Sequence, residues 1–373
     1  MEKVNKKVTE KKIILAKDTR LIIVIVVSIL VGVGLWQAVC PWMAEFYYRK
    51  GFVENTYKRY TESMQSLAKA MKFAPWETYY MITQVRNYEE MSRAAQTPDE
   101  QKQWLLKARK AYDFMLKINP TNPWFWSGVA SIDLGLMNLQ TDVARRQKYF
   151  NAADLDYSTA ASIDMKNPLF IMSKAFFVHR SGRVDEAYRL YERCLVLDNV
   201  FVEALYNMAE IDIARGQYDI ALEHFEMMAS ADRKEMDPSS RTYSNWVKGG
   251  DFNGYRSRAA ELYMFKREFK KAIDMFKWAL EMHPDDAKIW RGLGVAYQQD
   301  GQSDLAVYAY RQAAMIDPEM GDVNKYMAYI NYSQGLYNSS IDNLKRYVQS
   351  HPEDQKARSD LEKIQMIQQY RNR

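Results

Sequence analysis

A 34-residue spacing of prolines constrains this 373-residue sequence more than any other feature. Pro284, Pro318 and Pro352 follow one another at that interval. Small residues keep the same phase: Ala272, Ala306 and Ser340, then Gly301 and Gly335, Gly182 and Gly216, and Ala187 and Ala221. A fixed period of roughly 20–50 residues is typical of stacked supersecondary units, each contacting its neighbours.

One segment, 287–320, shows the composition of a unit most clearly. Its landmarks are Trp290, Leu293, Gly294, Tyr297, Gly301, Ala306, Tyr310, Ala313 and Pro318. The large residues of its first half recur at helical spacing, and the small residues let a second helix pack closely. Gly301 suits the turn between the helices, and Pro318 ends the second one. Each unit is therefore predicted to be a pair of helices.

This pattern resembles the tetratricopeptide repeat, W-x2-L-G-x2-Y…A-x3-F…P, with Tyr310 in the Phe position. In-phase units begin near residues 44, 78, 121, 168, 202, 253, 287 and 321. Inserted residues near 96–103 and 138–146 lengthen the second and third units. The resemblance implies an all-α fold, a right-handed superhelix of about eight helix pairs, in which the first helix of each pair lines the concave surface.

Two segments depart from the repeat. Residues 236–252 form a Gly-, Ser- and Pro-containing loop inserted between two units, and its Tyr243 and Trp246 either pack on the repeats or contact a partner. Residues 355–373 are rich in Gln, Lys and Arg, which predicts a polar helix that caps the repeat domain of residues 41–354.

Residues 21–40 are predicted to form a transmembrane helix. They contain no charged residue, and about 20 residues of helix cross a bilayer core of roughly 30 Å. A cleaved signal peptide and a lipoprotein modified at Cys40 are the alternatives. The second cysteine, Cys194, is 154 residues away, which makes a disulfide between the two unfavoured.

The flanking charges predict the orientation of this helix. Residues 1–20 form a basic tail of net charge +4, which leaves about +1 for the rest of the chain. Basic residues that flank a membrane span favour its cytoplasmic side, so the N-terminus is expected in the cytoplasm. The repeats are then expected outside the cytoplasm, in the periplasm or extracellular space of a bacterium. The nearly neutral body argues against nucleic-acid binding.

No catalytic or metal-binding motif occurs in the sequence, so we expect a protein that is not an enzyme and takes no cofactor. His283 and His351 each precede a repeat-ending proline and read as turn residues. His179 falls on the predicted concave face beside Arg180, where a solvated histidine is the simplest interpretation.

Repeat register assigns candidate partner-binding positions to the concave groove, as expected for a peptide or helix of another protein. They are Met172, Phe176, His179, Arg180, Tyr206, Glu210, Glu261, Met264, Phe265, Arg291, Gln298, Lys325 and Tyr329. The set mixes aromatic, methionine and charged side chains. For any single position, a solvated surface residue is the alternative.

Three functions are compatible with these features. The first is a non-catalytic, membrane-anchored scaffold or adaptor in the cell envelope. The second is an accessory module of envelope polysaccharide assembly, because the helix, the repeats and the PWETYY segment (75–80) resemble the tails of O-antigen ligase/polymerase-like membrane proteins. The third is a structural subunit of a pilus, secretion or surface complex that associates with copies of itself.

Overall fold

The computed structural model of the protein describes residues 2–233 and 254–371, and for 2–20, 23 and 231–233 it describes the backbone alone. Seventeen helices and no strand lie within the described residues. They are α1 (Glu2–Thr56), α2 (Tyr60–Phe73), α3 (Thr78–Ala94), α4 (Pro98–Ile118), α5 (Pro123–Asn138), α6 (Val143–Ile163), α7 (Pro168–Arg180), α8 (Val184–Leu197), α9 (Val202–Ala214), α10 (Tyr218–Arg233), α11 (Tyr255–Phe265), α12 (Phe269–Met282), α13 (Ala287–Gln299), α14 (Ser303–Ile316), α15 (Asp322–Ser333), α16 (Tyr337–Ser350) and α17 (Gln355–Arg371).

Consecutive helices form eight pairs, from α1 with α2 to α15 with α16, followed by the single helix α17. The predicted all-α fold of about eight helix pairs is thereby confirmed. The chain divides into two compact units, Met1–Phe177 (unit 1) and Val178–Arg373 (unit 2), and the boundary falls within α7. The inserted loop at 236–252, with Tyr243 and Trp246, lies outside the residues that the structure describes.

The inserted residues of the second and third repeats lengthen helices. Helices α4 and α6 have 21 residues each, against 14 in α12, α14 and α16. Each long helix begins with a side-chain cap: the Thr97 hydroxyl accepts from the Glu100 amide, and the Asp142 carboxylate accepts from the Arg145 amide at 2.7 Å. Extra residues near 96–103 and 138–146 therefore extend the second helices of those pairs at their N-terminal ends.

The turn inside most pairs contains one residue in the left-handed backbone region. Glycine holds this position at Gly301, where φ is +79°, and at three further repeats. Lys58 and Arg267 hold it in two repeats without a glycine, at φ of +58° and +60°. The position is therefore dictated by the helix–turn–helix geometry, whichever residue occupies it.

Small residues bring the two helices of a pair together, as the pattern predicts. A Cβ added to Gly294 would lie 2.6 Å from the ring of Tyr310. Tyr310, Ala306 and Ala313 are completely buried. The aromatic ring of the second helix thus occupies the space that the missing side chain leaves on the first.

Helix α1 continues from the apolar segment into the first repeat without a break. The described side chains between Leu21 and Val39 are all exposed, and a helix from Val24 to Thr56 is long and apolar enough to cross a membrane. From Ala44 onward, one face of α1 is buried against α2. Glu54 is only 7% exposed and accepts from the Ser66 hydroxyl at 2.7 Å. The C-terminal part of α1 therefore packs as a repeat helix.

Candidate functional site

The candidate site consists of the first-helix residues of unit 2, here called the inner face: His179 and Arg180 on α7, and the predicted positions on α9, α11, α13 and α15. Their exposure varies. Phe265 is 67% exposed, whereas Tyr206, Glu210, Met264, Gln298, Lys325 and Tyr329 are half-buried. Met172 and Phe176 lie in unit 1, where Phe176 is 47% exposed. Repeat register therefore selected positions with some access to solvent.

A bidentate ion pair joins the first helices of two repeats on this face. The Arg258 guanidinium of α11 donates to Glu210 of α9 at 2.9 Å, and also to Glu261, one turn along α11, at 3.0 Å. Two predicted carboxylates therefore share one arginine. Planar guanidinium geometry favours this arrangement because several N–H groups donate in one plane.

The next two repeats contain similar ion pairs. Arg291 of α13 donates to Asp322 of α15 at 2.8 Å, and Lys325 of α15 donates to Asp354 at 2.7 Å, just before α17. Hydrogen bonds to Lys325 and the Ala357 amide hold the pKa of Asp354 well below its usual range. Tyr329 donates to Asp360 of α17 at 3.0 Å. Much of the charge on the inner face thus connects neighbouring repeats.

Two polar positions on the inner face bond instead to the second helix of their own pair. The Gln298 side-chain oxygen accepts from Tyr310 at 2.8 Å, and the His179 Nδ1 atom lies 3.2 Å from the Tyr191 hydroxyl. Both pairs are 12 residues apart. Burial lowers the pKa of His179, which favours neutral imidazole near neutral pH. His179 is therefore a structural hydrogen-bonding partner of Tyr191.

Two aromatic side chains of the inner face, Phe265 and Tyr206, contact rings of α10. Phe265 contacts Tyr218 of α10, with ring centroids 4.7 Å apart, and stays largely exposed. Tyr206 lies 6.2 Å from Phe225 by the same measure. An exposed phenyl ring held by a neighbouring ring presents rigid apolar surface, which binding sites commonly use.

A hollow of about 400 Å³ opens beside Arg258 and Glu261. Asp286 and Lys288 at the start of α13 and His283 at the end of α12 line its other side. Its lining contains both signs of charge, so it suits a short polar segment better than an apolar ligand. His283 also ends α12, donating its backbone N–H to Ala279, which agrees with its interpretation as a turn residue.

Residues that our sequence interpretation missed complete this network. Arg258, Asp354 and Asp360 were absent from the predicted set, although each anchors a predicted residue. The signal available was register: Asp286 and Asp354 are two 34-residue periods apart and each precedes a first helix or α17, whereas Asp322, the first residue of α15, is two residues out of this register. Asp286 caps α13 by accepting from the Lys288 amide at 2.8 Å. Which side chain an opening aspartate meets depends on the angle between repeats.

Potential reactive groups are sparse in the described part of the chain. No group of three His, Cys, Asp or Glu side chains there is arranged to hold a metal ion. Cys40 and Cys194 form no disulfide, and both are buried. Burial raises the pKa of Cys194 to about 12, so its thiol stays protonated at neutral pH.

Comparison with known proteins supports the repeat assignment. Residues 257–321 match the family described as Tetratricopeptide repeat. A solved structure, the C-terminal part of a TPR repeat-containing protein from Cytophaga hutchinsonii, is 14% identical, with a TM-score of 0.52. The alignment covers 76% of this chain and 98% of that one. At this identity, the likeness establishes the fold.

Curated relatives share the repeats over part of their length. Superkiller protein 3 of Schizosaccharomyces pombe is 25% identical over 158 residues, which is 42% of this chain and 11% of the relative. The peroxisomal targeting signal receptor of Candida albicans is 25% identical over 178 residues, 41% of this chain and 30% of the receptor. The chain thus spans less than a third of the length of either relative. This chain therefore has a tetratricopeptide-repeat fold. The conclusion rests on its eight helix pairs, the left-handed turn positions and the segment that matches the family.

Proposed function

We propose that this protein is a non-catalytic, membrane-anchored scaffold that binds other proteins through its repeats. The observation that carries the proposal is the continuity of α1, which contains the exposed apolar segment and the first helix of the first pair. A repeat array that shares a helix with its membrane span is fixed to the membrane without a flexible linker. Repeat arrays in turn offer extended binding surfaces.

The inner face of unit 2 supports the choice of a protein partner. Its cross-repeat ion pairs hold the first helices in place, and Phe265, Met264 and Tyr206 supply apolar and aromatic surface beside them. An aromatic anchor surrounded by mixed charge fits a peptide or helix with an apolar side chain and polar flanks. The Candida albicans relative is a peroxisomal targeting signal receptor, which is compatible with this kind of ligand.

The proposed location of the repeats is outside the cytoplasm, in a cell-envelope assembly. The basic tail of residues 1–20 precedes the span, and the positive-inside rule then places the C-terminal body on the opposite side. Protease added to intact spheroplasts should digest the repeats and leave the tail. Protection of the repeats in intact spheroplasts, with digestion only after lysis, would reverse this topology.

Partner binding is tested by cross-linking in membranes with the intact chain. We expect Phe265→Ala and Tyr206→Ala to reduce the yield of cross-linked partners several-fold. The matched control is Tyr308→Ala on α14, a second helix, because Tyr308 is 52% exposed and its ring contacts Trp290, which is not one of the candidate binding positions. Equal yields from all three variants and the wild type would contradict binding at the inner face.

Polysaccharide assembly and self-assembly remain alternative proposals. The first rests on the resemblance of PWETYY (75–80) and the anchored repeats to O-antigen ligase/polymerase-like tails. The second is favoured by exposed apolar side chains on second helices, such as Val196 at 84% and Met315 at 70% exposure. Sedimentation of residues 41–373 distinguishes self-assembly from the scaffold, since a structural subunit should oligomerise and an adaptor should stay monomeric.

A further inference from the structure

The first helix pair brings a second element to the level at which the apolar segment ends. Ala44 of α1 and Ala74, which ends α2, belong to one buried cluster. The ring of Tyr47 stacks on that of Phe73 at 6.0 Å, with the two planes 4° apart. Because α2 runs antiparallel to α1, the turn at 74–77 lies beside the part of α1 that leaves the apolar segment.

The depth of this turn follows from helix geometry. Ala44 is four residues beyond residue 40, which corresponds to about 6 Å along a helix. The headgroup layer on each side of a bilayer is roughly 5–8 Å thick. If residues 21–40 cross the hydrocarbon core with the helix near the membrane normal, the turn at 74–77 therefore falls within the headgroup layer.

The side chains at this level have the chemistry of the bilayer interface. Trp76 in the turn is 60% exposed, and Trp42 on α1 is 66% exposed and stacks on Phe46 at 6.0 Å. Lys72, in the last turn of α2, is also exposed. Indole rings favour the headgroup layer, and lysine contacts lipid phosphates.

Two acidic residues, Glu45 and Glu77, lie near this end. Glu77 is in the turn itself, where it is half-buried and its side chain does not cap α3. Glu45 accepts from Arg49 at 2.8 Å and from the Tyr79 hydroxyl at 3.3 Å. Burial, together with the nearby Tyr48 and Glu45, raises the pKa of Tyr79, so its hydroxyl remains a donor. The exposed side chains Trp42, Trp76 and Lys72 are aromatic or basic.

The opposite end of the same helix pair is too far from the bilayer to make this contact. Tyr57 follows the end of α1 and is 72% exposed. It lies about 13 residues beyond Ala44, or roughly 20 Å at helical rise. It provides an exposed aromatic position in the same fold for comparison.

We infer that the turn at 74–77 is a second membrane contact, in which Trp76 and Lys72 lie in the lipid headgroup layer beside the span. The contact rests on the proposed function, because it requires α1 to cross the membrane. With the span and the turn both engaged, the first repeat is held at two points, which fixes its tilt relative to the bilayer. A lipid surface is favoured over a protein partner by the position of these side chains at the end of the apolar segment.

The test uses the full chain in vesicles of phosphatidylcholine and phosphatidylglycerol. An environment-sensitive fluorophore is attached at Trp76→Cys, or at Tyr57→Cys as the control, in a Cys40→Ala, Cys194→Ala background. We expect the label at 76 to emit at shorter wavelength, to be quenched by lipid-attached bromine and to be several-fold less accessible to aqueous iodide than the label at 57. Circular dichroism of both variants confirms that the helices are intact.

A carbonate wash of the vesicles separates the two levels of the proposal. A chain that washes off lacks the anchor, which overturns both the proposed function and this contact. A chain that stays bound while the label at 76 is as iodide-accessible as the label at 57 overturns the contact alone. Shielding of the label at 76 in detergent-solubilised chain, without lipid-dependent quenching, indicates a protein contact such as a second copy and also overturns it.

Discussion

The Arg258 guanidinium donates to the Glu210 carboxylate at 2.9 Å across 48 residues of sequence. These residues lie on α11 and α9, the first helices of two repeats that the inserted segment separates in the chain. First helices of successive repeats are therefore neighbours despite the insertion. The coupling energy of this ion pair therefore measures a contact between the two segments that flank the insertion.

We expect this pair to contribute a modest coupling between the two repeats. Because both side chains are partly exposed, a double-mutant cycle with Arg258→Met and Glu210→Gln should give about 0.5–1 kcal/mol, decreasing at high salt. Denaturant unfolding of the four variants measures it. The matched cycle is Arg93→Met with Glu90→Gln, an exposed pair within one helix, for which about 0.3–0.5 kcal/mol is expected. Equal coupling energies in the two cycles would contradict a special role for the cross-repeat pair.

Arg267 stands at the turn position that glycine occupies in neighbouring repeats, with φ of +60°. The left-handed conformation costs a residue with a side chain roughly 1–2 kcal/mol. Glycine avoids this cost but loses more conformational entropy on folding, which offsets part of the gain. Arg267→Gly should therefore raise the free energy of unfolding by about 0.5–1 kcal/mol. Thermal and urea denaturation measure the change. The reciprocal variant, Gly301→Arg, should lower stability, and a loss of stability in Arg267→Gly would refute the strain argument.

Gly294→Ala tests the close approach of α13 and α14. Alanine normally improves a helix by up to about 1 kcal/mol over glycine. Here the new Cβ would lie 2.6 Å from the buried ring of Tyr310, so we expect a net loss of about 1–3 kcal/mol in unfolding free energy. Adding Tyr310→Leu should make the glycine replacement less costly than it is alone. A stabilised single variant would show that the two helices separate without cost.

Asp156 predicts a pH dependence of stability in unit 1. Burial raises its pKa to about 6; Arg109 opposes the rise, whereas Asp133 and Asp113 add to it. Its pKa in the unfolded chain is near 4, so the folded state binds more protons between about pH 4 and 6. The contribution of this carboxyl to stability therefore decreases as pH rises through that window.

Asp156→Asn should consequently stabilise the protein more at pH 7 than at pH 4. The difference in unfolding free energy between variant and wild type should grow by up to about 2 kcal/mol over that range. Urea denaturation at several pH values measures it. A difference that stays constant from pH 4 to 7 would show that the buried carboxyl titrates normally.

Repeat periodicity determined the fold class of this protein. Landmark residues such as Trp290, Gly301 and Pro318 act over short distances, within a helix or a single turn, and the 34-residue period repeats them. Local rules of this kind need no knowledge of distant contacts. The same local reasoning predicted the turn glycines, although it did not anticipate that Lys58 and Arg267 adopt the same conformation.

Only the tertiary structure decided how the inner-face charges are used and where the first turn lies. Arg258 meets Glu210, and Lys325 meets Asp354, because the angle between repeats brings side chains together that are 48 and 29 residues apart. The sequence by itself determined how residues are spaced around each helix, since helical period is a local property. It did not determine which side chain lies opposite, since that depends on the packing of whole helices against one another.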